Sequence, residues 1–311
     1  MISTLSGRRR TLSPTAFIAG TSCSATNERL ALALEAYGSA ALVGSPELAA
    51  ARAQPGDVVI GRLDVRPTLD GIQPGLGRLL QICERGIEVV NGADVLVATH
   101  DKLTTARLLA TAAIPQPKWA HVADEYGSPP FEPPYVVKPR FGSWGRDVFR
   151  CESRAELQVC LLHLRHRRWF GRHGALVQEL ITPRGFDLRL IVSAGVVVGA
   201  VERVAAPGEW RTNIALGGSR RPVTPALEAC TMAVDAAAAV GGALVGIDLL
   251  PDERGWRVIE INGAVDFTDE YALDGDDVFG RAVESFAPSR RHSALSPADE
   301  EAPVLVGAAS I

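Results

Sequence analysis

The chain has 311 residues, of which 47% are hydrophobic and 22% charged, and its formal net charge is −4. That length leaves room for two or three packed units with a substantial core, and the slightly acidic balance offers no footprint for nucleic acid. The most apolar stretch, Met232 to Leu250, is interrupted by Asp235, Gly241, Gly242 and Asp248, which excludes a membrane span.

Residues 1–13 read as a flexible tail, with too few apolar residues before Gly20 for a signal peptide. From there apolar runs alternate with helical patterns. Phe17-Ile18-Ala19 leads through a Gly-Thr-Ser turn to a helix over Asn27–Tyr37. A strand at Ala40–Val43, a helix near Glu47–Ala53, a strand at Val58–Ile60, a helix around Leu76–Arg85 and a strand at Glu88–Asn91 follow. Strands alternating with helices at this pitch predict an open, largely parallel α/β unit over residues 14–98. Asp101–Ala113 is an amphipathic helix stopped before Pro115. Each proline of Ile114-Pro115-Gln116-Pro117 holds its predecessor extended. Tyr135–Lys138 is a strand running into a glycine-rich loop, followed by a helix over Arg154–Arg165 and a strand over Ala175–Ile181.

The pattern then turns antiparallel. Asp187–Val192 and Val196–Val204 flank Ala194-Gly195, a good hairpin turn. Glu228–Val240 is an Ala-rich helix closed by Gly241 and Gly242. Ala243–Leu250 and Trp256–Ile261 form a second hairpin, and residues 289–311 are a polar tail with the composition of disorder. The chain is thus α/β, turning α+β in its C-terminal part. Five scattered cysteines form no CxxC pair and no zinc-like spacing; they read as free thiols of a reducing cytoplasm.

The second hairpin carries the strongest chemical signal. Glu260 and Asn262 lie two apart on one strand, so their side chains leave the same face. A loop over Pro251–Arg257 puts Asp248 opposite Glu260, and a one-residue slip would reverse the faces. Buried carboxylates need a partner, and an oxygen-only ligand set selects Mg²⁺, with Mn²⁺ as its substitute, over zinc or copper. The bland alternative is a surface hairpin with one acidic face. The apolar neighbours Leu244, Val245, Ile247, Val258, Ile259 and Ile261 argue against it.

Lys138-Pro139-Arg140-Phe141-Gly142-Ser143-Trp144-Gly145-Arg146 follows a strand, and its glycines let backbone N–H groups turn toward an anion. It lacks the Gly-Lys-Ser/Thr ending of a Walker A loop. By itself it reads equally as an ordinary glycine turn. Paired with a metal-binding hairpin it predicts a triphosphate site, with cationic and N–H donors on one side and the metal on the other. Val177-Gln178-Glu179-Leu180-Ile181 is a strand edge that can offer backbone groups to a base, and Asp187 an acid for ribose hydroxyls. Trp210-Arg211-Thr212-Asn213 with Gly217 and Gly218 is too polar for a core strand and reads as a ligand loop.

The order and spacing of these parts resemble the ATP-grasp superfamily, in particular its RimK-like branch of amino-acid ligases, which includes α-L-glutamate ligases and lysine-biosynthesis ligases acting on an acidic carrier protein. The resemblance runs from about Thr15 to Ala287, through Asp101-Lys102, Lys138–Arg146, Gln178-Glu179, Asp187-Leu188-Arg189, Trp210–Gly218, Asp248 and Glu260-Ile261-Asn262. It implies a pre-ATP-grasp unit (14–98) before a two-subdomain ATP-grasp fold, with a central subdomain at 99–174 and a C-terminal one at 175–288. By resemblance, Lys102 and Lys138 contact phosphates under a loop of Gly142, Ser143, Trp144 and Gly145. Gln178, Glu179 and the Leu180 backbone hold adenine, and Asp187 holds ribose. Arg211 and Asn213 sit at the terminal phosphate, Arg203 holds the carboxylate, and Asp248, Glu260 and Asn262 bind magnesium. The implied reaction passes the γ-phosphoryl group to a carboxylate and lets an amine attack. A phosphotransferase and a non-catalytic nucleotide-binding module are the competing readings. The resemblance further implies a cytoplasmic homo-oligomer acting on an amino acid, or on a Glu-ended carrier protein or peptide, with no nucleic-acid or membrane partner. The family's arginine beside the ribose-binding aspartate is Phe186 here. After Asn262 the His-Thr-Met-Glu-Phe of the carrier-dependent ligases is replaced by Gly263-Ala264-Val265-Asp266-Phe267.

Overall fold

A computed structural model of the protein describes residues 15–21 and 24–288; both expected tails and Cys23 lie outside the described residues. The first unit comprises β1 (Thr15–Gly20), α1 (Ala25–Ala36), β2 (Ala40–Gly44), α2 (Pro46–Arg52), β3 (Val58–Arg62), α3 (Leu76–Glu84) and β4 (Glu88–Val90). Its four strands are parallel in the order β2-β1-β3-β4. The central strands β1 and β3 are covered on both faces, so they read as unbroken apolar runs rather than as alternations. Ser24 caps α1 by accepting from the Asn27 N–H, and Ser45 caps α2, where Pro46 stands at the first helical position.

Two helices, α4 (Ala93–His100) and α5 (Lys102–Thr111), meet at Asp101, which ends one and caps the other. The central sheet follows: β5 (Trp119–Val122), β6 (Tyr135–Pro139), β7 (Phe149–Cys151), α6 (Arg154–Leu164), α7 (Arg168–His173) and β8 (Ala175–Glu179). Its order is β5-β8-β6-β7, antiparallel throughout. β8, which the expected boundary at 174/175 assigns to the C-terminal subdomain, pairs here with β5 and β6. The third sheet is built from β9 (Phe186–Ser193), β10 (Val196–Val204), β11 (Ser219–Pro222), β12 (Leu244–Asp252) and β13 (Gly255–Asn262), in the order β11-β10-β9-β12-β13. Helix α8 (Leu227–Ala239) packs its buried alanines Ala229, Ala233, Ala236 and Ala237 in one core with β9, β12 and β13. Helix α9 (Val278–Val283) packs against α1.

The first unit is fastened to the third sheet by buried polar contacts. Asn91, at φ +53°, donates to the carbonyls of Leu244 and Gly263 and accepts from the Ala243 and Leu244 N–H groups. Arg62 is buried and donates to Asn27, to the Val265 carbonyl and to Asp266. Gly263 is obligatory at this junction, because a Cβ would lie 2.3 Å from Thr99 Oγ1. The segment after Asn262, where this chain departs from the carrier-dependent ligases, is therefore the seam between the two units.

Asp248 pairs directly with Glu260 as expected, but the turn is tighter than the expected Pro251–Arg257 loop, with Asp252 facing Gly255 and Leu250 facing Arg257. The ladder then shifts, and Leu249 faces Val258. This bulge leaves Ile259 without a register partner and re-aims the strand immediately beside Glu260.

Candidate active site

A cleft lies between the central and third sheets, lined by both lysines of the sequence reading, the glycine loop, β8 and the Trp210–Asn213 loop. Val136, Val148, Leu180, Ile181, Leu250 and Ile259 give it an apolar part suited to a flat ring, while Lys102, Lys138 and Glu260 make its charged part. Lys102, at the start of α5, is held by two acceptors: the Gly142 carbonyl at 2.6 Å and Glu260 Oε1 at 2.7 Å. The Asp101 carboxylate pairs with Arg140, and the Lys102 N–H donates to the Arg140 carbonyl. The base of the glycine loop is thereby stapled to the helix that carries the lysine. Lys138 lines the same cleft, and burial pushes its ammonium down to about 8, opposed chiefly by Glu260.

The tip of the loop requires its glycine. Gly145 has φ +69°, and a Cβ there would meet Asn213 Oδ1 at 2.7 Å. Arg211 donates to the Gly145 and Val148 carbonyls at 3.1 and 3.3 Å while its guanidinium pairs with Glu209. That pairing holds the Glu209 carboxyl down to about 2. Arg211 and Asn213, expected at the terminal phosphate, thus clasp the loop that would cover it.

A buried charge network sits behind the cleft. Arg203 grips Asp187 with two donors and reaches Asp248 at 2.8 Å. Arg189 pairs with Asp248 through two contacts of 2.6 Å. Asp248 is 1% exposed, and despite burial the two guanidiniums hold its carboxyl down to about 2. Asp187 is fully buried and also accepts from Thr212 Oγ1 at 2.6 Å. Three expectations change accordingly. Asp187 lines the cleft but is engaged by Arg203 and Thr212, so it anchors Arg203 rather than offering an uncommitted acid to ribose. Arg203 spends Nε and one terminal nitrogen on two carboxylates of the protein itself, which leaves only its other terminal nitrogen for a substrate carboxylate. Leu180 lines the cleft, but its N–H donates to the Pro134 carbonyl at 2.9 Å, leaving only its carbonyl for a base. Gln178 is buried, and Glu179 is held at the rim by the Lys118 N–H.

Glu260 and Asn262 leave one face of β13, as expected. Among the described residues no group of three or more His, Cys, Asp or Glu side chains could hold a metal ion alone. The donor set fits a cation that completes its shell with phosphate oxygens, as Mg²⁺ does. Glu260 hydrogen-bonds through one oxygen to Lys102, and the Asn262 amide nitrogen is buried without a partner. Asp248, already balanced by two arginines, is the weakest member of that set.

A second cavity adjoins the cleft and shares Ser143, Arg203, Asn213 and Glu260 with it. The rest of its lining includes Asp64 from the first unit, His100 at the end of α4, Trp144, Arg189, Arg220, Asn262, Ala264 to Asp266 and Tyr271. His100 was not singled out from the sequence. Only its place one residue before Asp101-Lys102 could have marked it.

The RimK-like ATP-grasp domain family matches residues 99–281. A probable alpha-L-glutamate ligase of Thioalkalivibrio sulfidiphilus is 32% identical over 234 residues, covering 73% of this chain and 75% of the relative. Another, of Shewanella pealeana, is 30% identical over 239 residues, covering 74% of this chain but 50% of that longer relative. Among solved structures, a RimK domain ATP-grasp protein from Sphaerobacter thermophilus superposes with a TM-score of 0.65 at 19% identity, covering 87% of this chain and 98% of its own. The ATP-grasp ligase PsnB, complexed with a phosphomimetic precursor variant, Mg and ADP, gives 0.61 at 19% identity over 90% of this chain and 100% of its own. No helix among the described residues is long and apolar enough to cross a membrane. The chain belongs to the RimK-like ATP-grasp family and is a ligase of the carbon–nitrogen bond-forming class.

Proposed function

We propose that the protein activates a carboxylate with ATP as an acyl phosphate and joins it to an amine, releasing ADP and phosphate. The observation that carries this is the pair of adjoining cavities. Ser143, Arg203, Asn213 and Glu260 face both, so a group activated at the end of the cleft is exposed to whatever fills its neighbour. Bound ATP supplies the phosphoryl group, and Mg²⁺, or Mn²⁺ in its place, neutralises charge on the phosphates. The chain's own residues do the rest. Lys102 and Lys138 present ammonium groups to the phosphate oxygens. Glu260 and Asn262, with Asp248, hold the cation. The Ser143–Gly145 turn, clasped by Arg211, keeps water from the reacting carboxylate. No Ser, Cys or His nucleophile with a paired base lines the shared wall, so acyl transfer needs no covalent enzyme intermediate.

The names of the relatives make L-glutamate the first substrate to test, and PsnB, bound to a precursor peptide, makes a peptide or acidic carrier the second. Hydroxylamine intercepts an acyl phosphate as a hydroxamate. With a Glu-ended peptide as donor, we expect hydroxamate and ADP in equal amounts. A stable phosphorylated product, formed with ADP and not consumed on adding an amine, would identify a phosphotransferase, and AMP with pyrophosphate would exclude an acyl phosphate.

A further inference from the structure

The glycine loop is held in a conformation that its own residues do not favour. Trp144, Gly145 and Asp147 all have positive φ, at +62°, +69° and +51°. Glycine adopts this region freely and aspartate tolerates it, but a side chain as bulky as Trp144 rarely does. Trp144 is also 51% exposed, so burial of its ring does not account for the strain. Backbone of this kind persists only where surrounding contacts over-determine it. From α5, Lys102 holds the Gly142 carbonyl, and from α7, Trp169 Nε1 donates to Asp147 Oδ2 at 2.8 Å. On the side of the third sheet the holding group is Arg211, whose Nη1 donates to the Gly145 and Val148 carbonyls.

Glu209 aims that arginine. Its own N–H donates to the Ala206 carbonyl in the turn that follows β10. Its Oε1 accepts from the Trp210 N–H at 2.9 Å, and from the Arg211 N–H and Arg211 Nε at 3.0 Å each. Oε2 accepts from Arg211 Nη2 at 2.8 Å. One carboxylate therefore fixes both the backbone and the guanidinium plane of the same residue, in the two-point geometry that makes arginine directional. A guanidinium has five N–H donors. Nε is used once, Nη1 twice and Nη2 once, which leaves a single N–H for phosphate among the described contacts. Arg211 is thus committed first to the loop. Its pairing with Glu209 keeps that carboxyl ionised, down to about 2, and Glu209 itself lines neither cavity.

Resting on the ligase reading, we propose that Glu209 is a positioning residue: by aiming Arg211 at the Gly145 and Val148 carbonyls it holds the glycine loop shut over the activated carboxylate, and so sets how much acyl phosphate is lost to water. With the loop released, water adds to the acyl carbon and the bond to the phosphate oxygen breaks. Carboxylate and inorganic phosphate are returned, one hydrogen of the water staying on the phosphate and the other leaving as a proton. ATP is then consumed without amide formation. The clasp acts through the loop, so its loss shows in the coupling of the two products more than in the binding of either substrate.

The test compares Glu209→Gln with the wild-type protein. The amide keeps the length of the side chain, but its nitrogen is a donor and cannot accept from Arg211, so the two-point contact opens. With a Glu-ended peptide, ATP, Mg²⁺ and hydroxylamine, the wild type should give ADP and hydroxamate in equal amounts. The variant should release roughly threefold or more ADP over hydroxamate. Without nucleotide, hydrogen exchange across residues 142–148 should be roughly fivefold or more faster in the variant, with the β12–β13 hairpin unchanged. A merely structural contact would lower turnover and leave the product ratio at that of wild type. Combining Glu209→Gln with Arg211→Gln should match Arg211→Gln alone in both ratio and exchange, because the carboxylate then has nothing left to aim. Equal ADP and hydroxamate in Glu209→Gln, loop exchange at the wild-type rate, or a further effect of Glu209→Gln on the Arg211→Gln background each overturns the assignment. Should the wild type yield no hydroxamate from any donor, the ligase reading falls. The exchange comparison needs no substrate and then decides by itself whether Glu209 holds the loop.

Discussion

The two cavities share a wall but use their polar groups in opposite ways. In the nucleotide cleft nearly every charge is already matched within the chain: Lys102 with Glu260, Arg211 with Glu209, Arg203 with Asp187 and Asp248, Arg189 with Asp248. Residues of the second cavity carry the four buried side-chain polar atoms left unpaired among the described residues, Ser143 on the shared wall among them, beside the matched pairs Arg189–Asp248 and Arg220–Glu270. The first arrangement is preorganised, with cations held at fixed positions before phosphate arrives, so little reorganisation is needed when charge develops. The second carries its orphans as a standing desolvation penalty of about 1–3 kcal/mol for each buried group.

Glu260 stands on the shared wall, and its loss should break both sides. Glu260→Gln keeps the shape but removes the charge that balances Lys102 and would hold the cation. We expect turnover to fall roughly 10³-fold or more, with ADP binding at saturating Mg²⁺ weakened and the protein still folded. Wild-type turnover at limiting Mg²⁺ would remove the cation from this hairpin.

Arg203 tests whether the network behind the cleft is structural. It is 3% exposed and bridges Asp187 to Asp248. Arg203→Met retains bulk but leaves buried Asp187 with only the Thr212 hydroxyl, while Asp248 keeps Arg189, and breaking such a buried pair costs about 3–5 kcal/mol. At about 2–4 °C per kcal/mol for a chain of this size, the melting temperature should drop by roughly 6–20 °C. A shift below about 3 °C, with turnover lost, would return Arg203 to the substrate-holding role read from the sequence.

That contrast also marks what the sequence made legible. Apolar alternation placed Asp248 opposite Glu260, because that register keeps Ile247 and Ile261 inside, whereas the expected loop was too long and the bulge at Ile259 makes up the difference. The parallel first sheet was equally readable from its apolar runs. Strands β7 and β11 were not: one has three residues, and the other, Ser-Arg-Arg-Pro, is a polar edge. Helix α4 reads Ala-Asp-Val-Leu-Val-Ala-Thr-His, and its β-branched residues match a strand as well as a helix. Its last residue, His100, was lost with it. Which partner a charged side chain chooses is a tertiary fact. Nothing local to Asp187 says that Arg203 and Thr212 will occupy it.

The finest test concerns Lys138, the cation of the cleft for which no protein hydrogen bond is formed among the described contacts. Burial lowers its ammonium to about 8, against about 10.4 for an unfolded lysine. A lysine depressed in this way penalises the folded state while charged, and the penalty is relieved as pH rises from about 8 toward 10.4; its contribution to stability therefore improves with pH across that window. Nucleotide binding should run the other way. Phosphates favour the ammonium, so binding at pH 8 should take up a fraction of a proton, and ADP affinity should decline several-fold between about pH 7 and 9. Calorimetry in two buffers of different ionisation heat reads the proton directly. Lys138→Ala should weaken ATP by about 10- to 100-fold, the equivalent of a charge-assisted contact worth about 1.5–3 kcal/mol, and abolish the uptake. If the variant binds more weakly yet takes up the same proton, the titrating group is elsewhere, and Lys102, already engaged by Glu260, becomes the residue to change next.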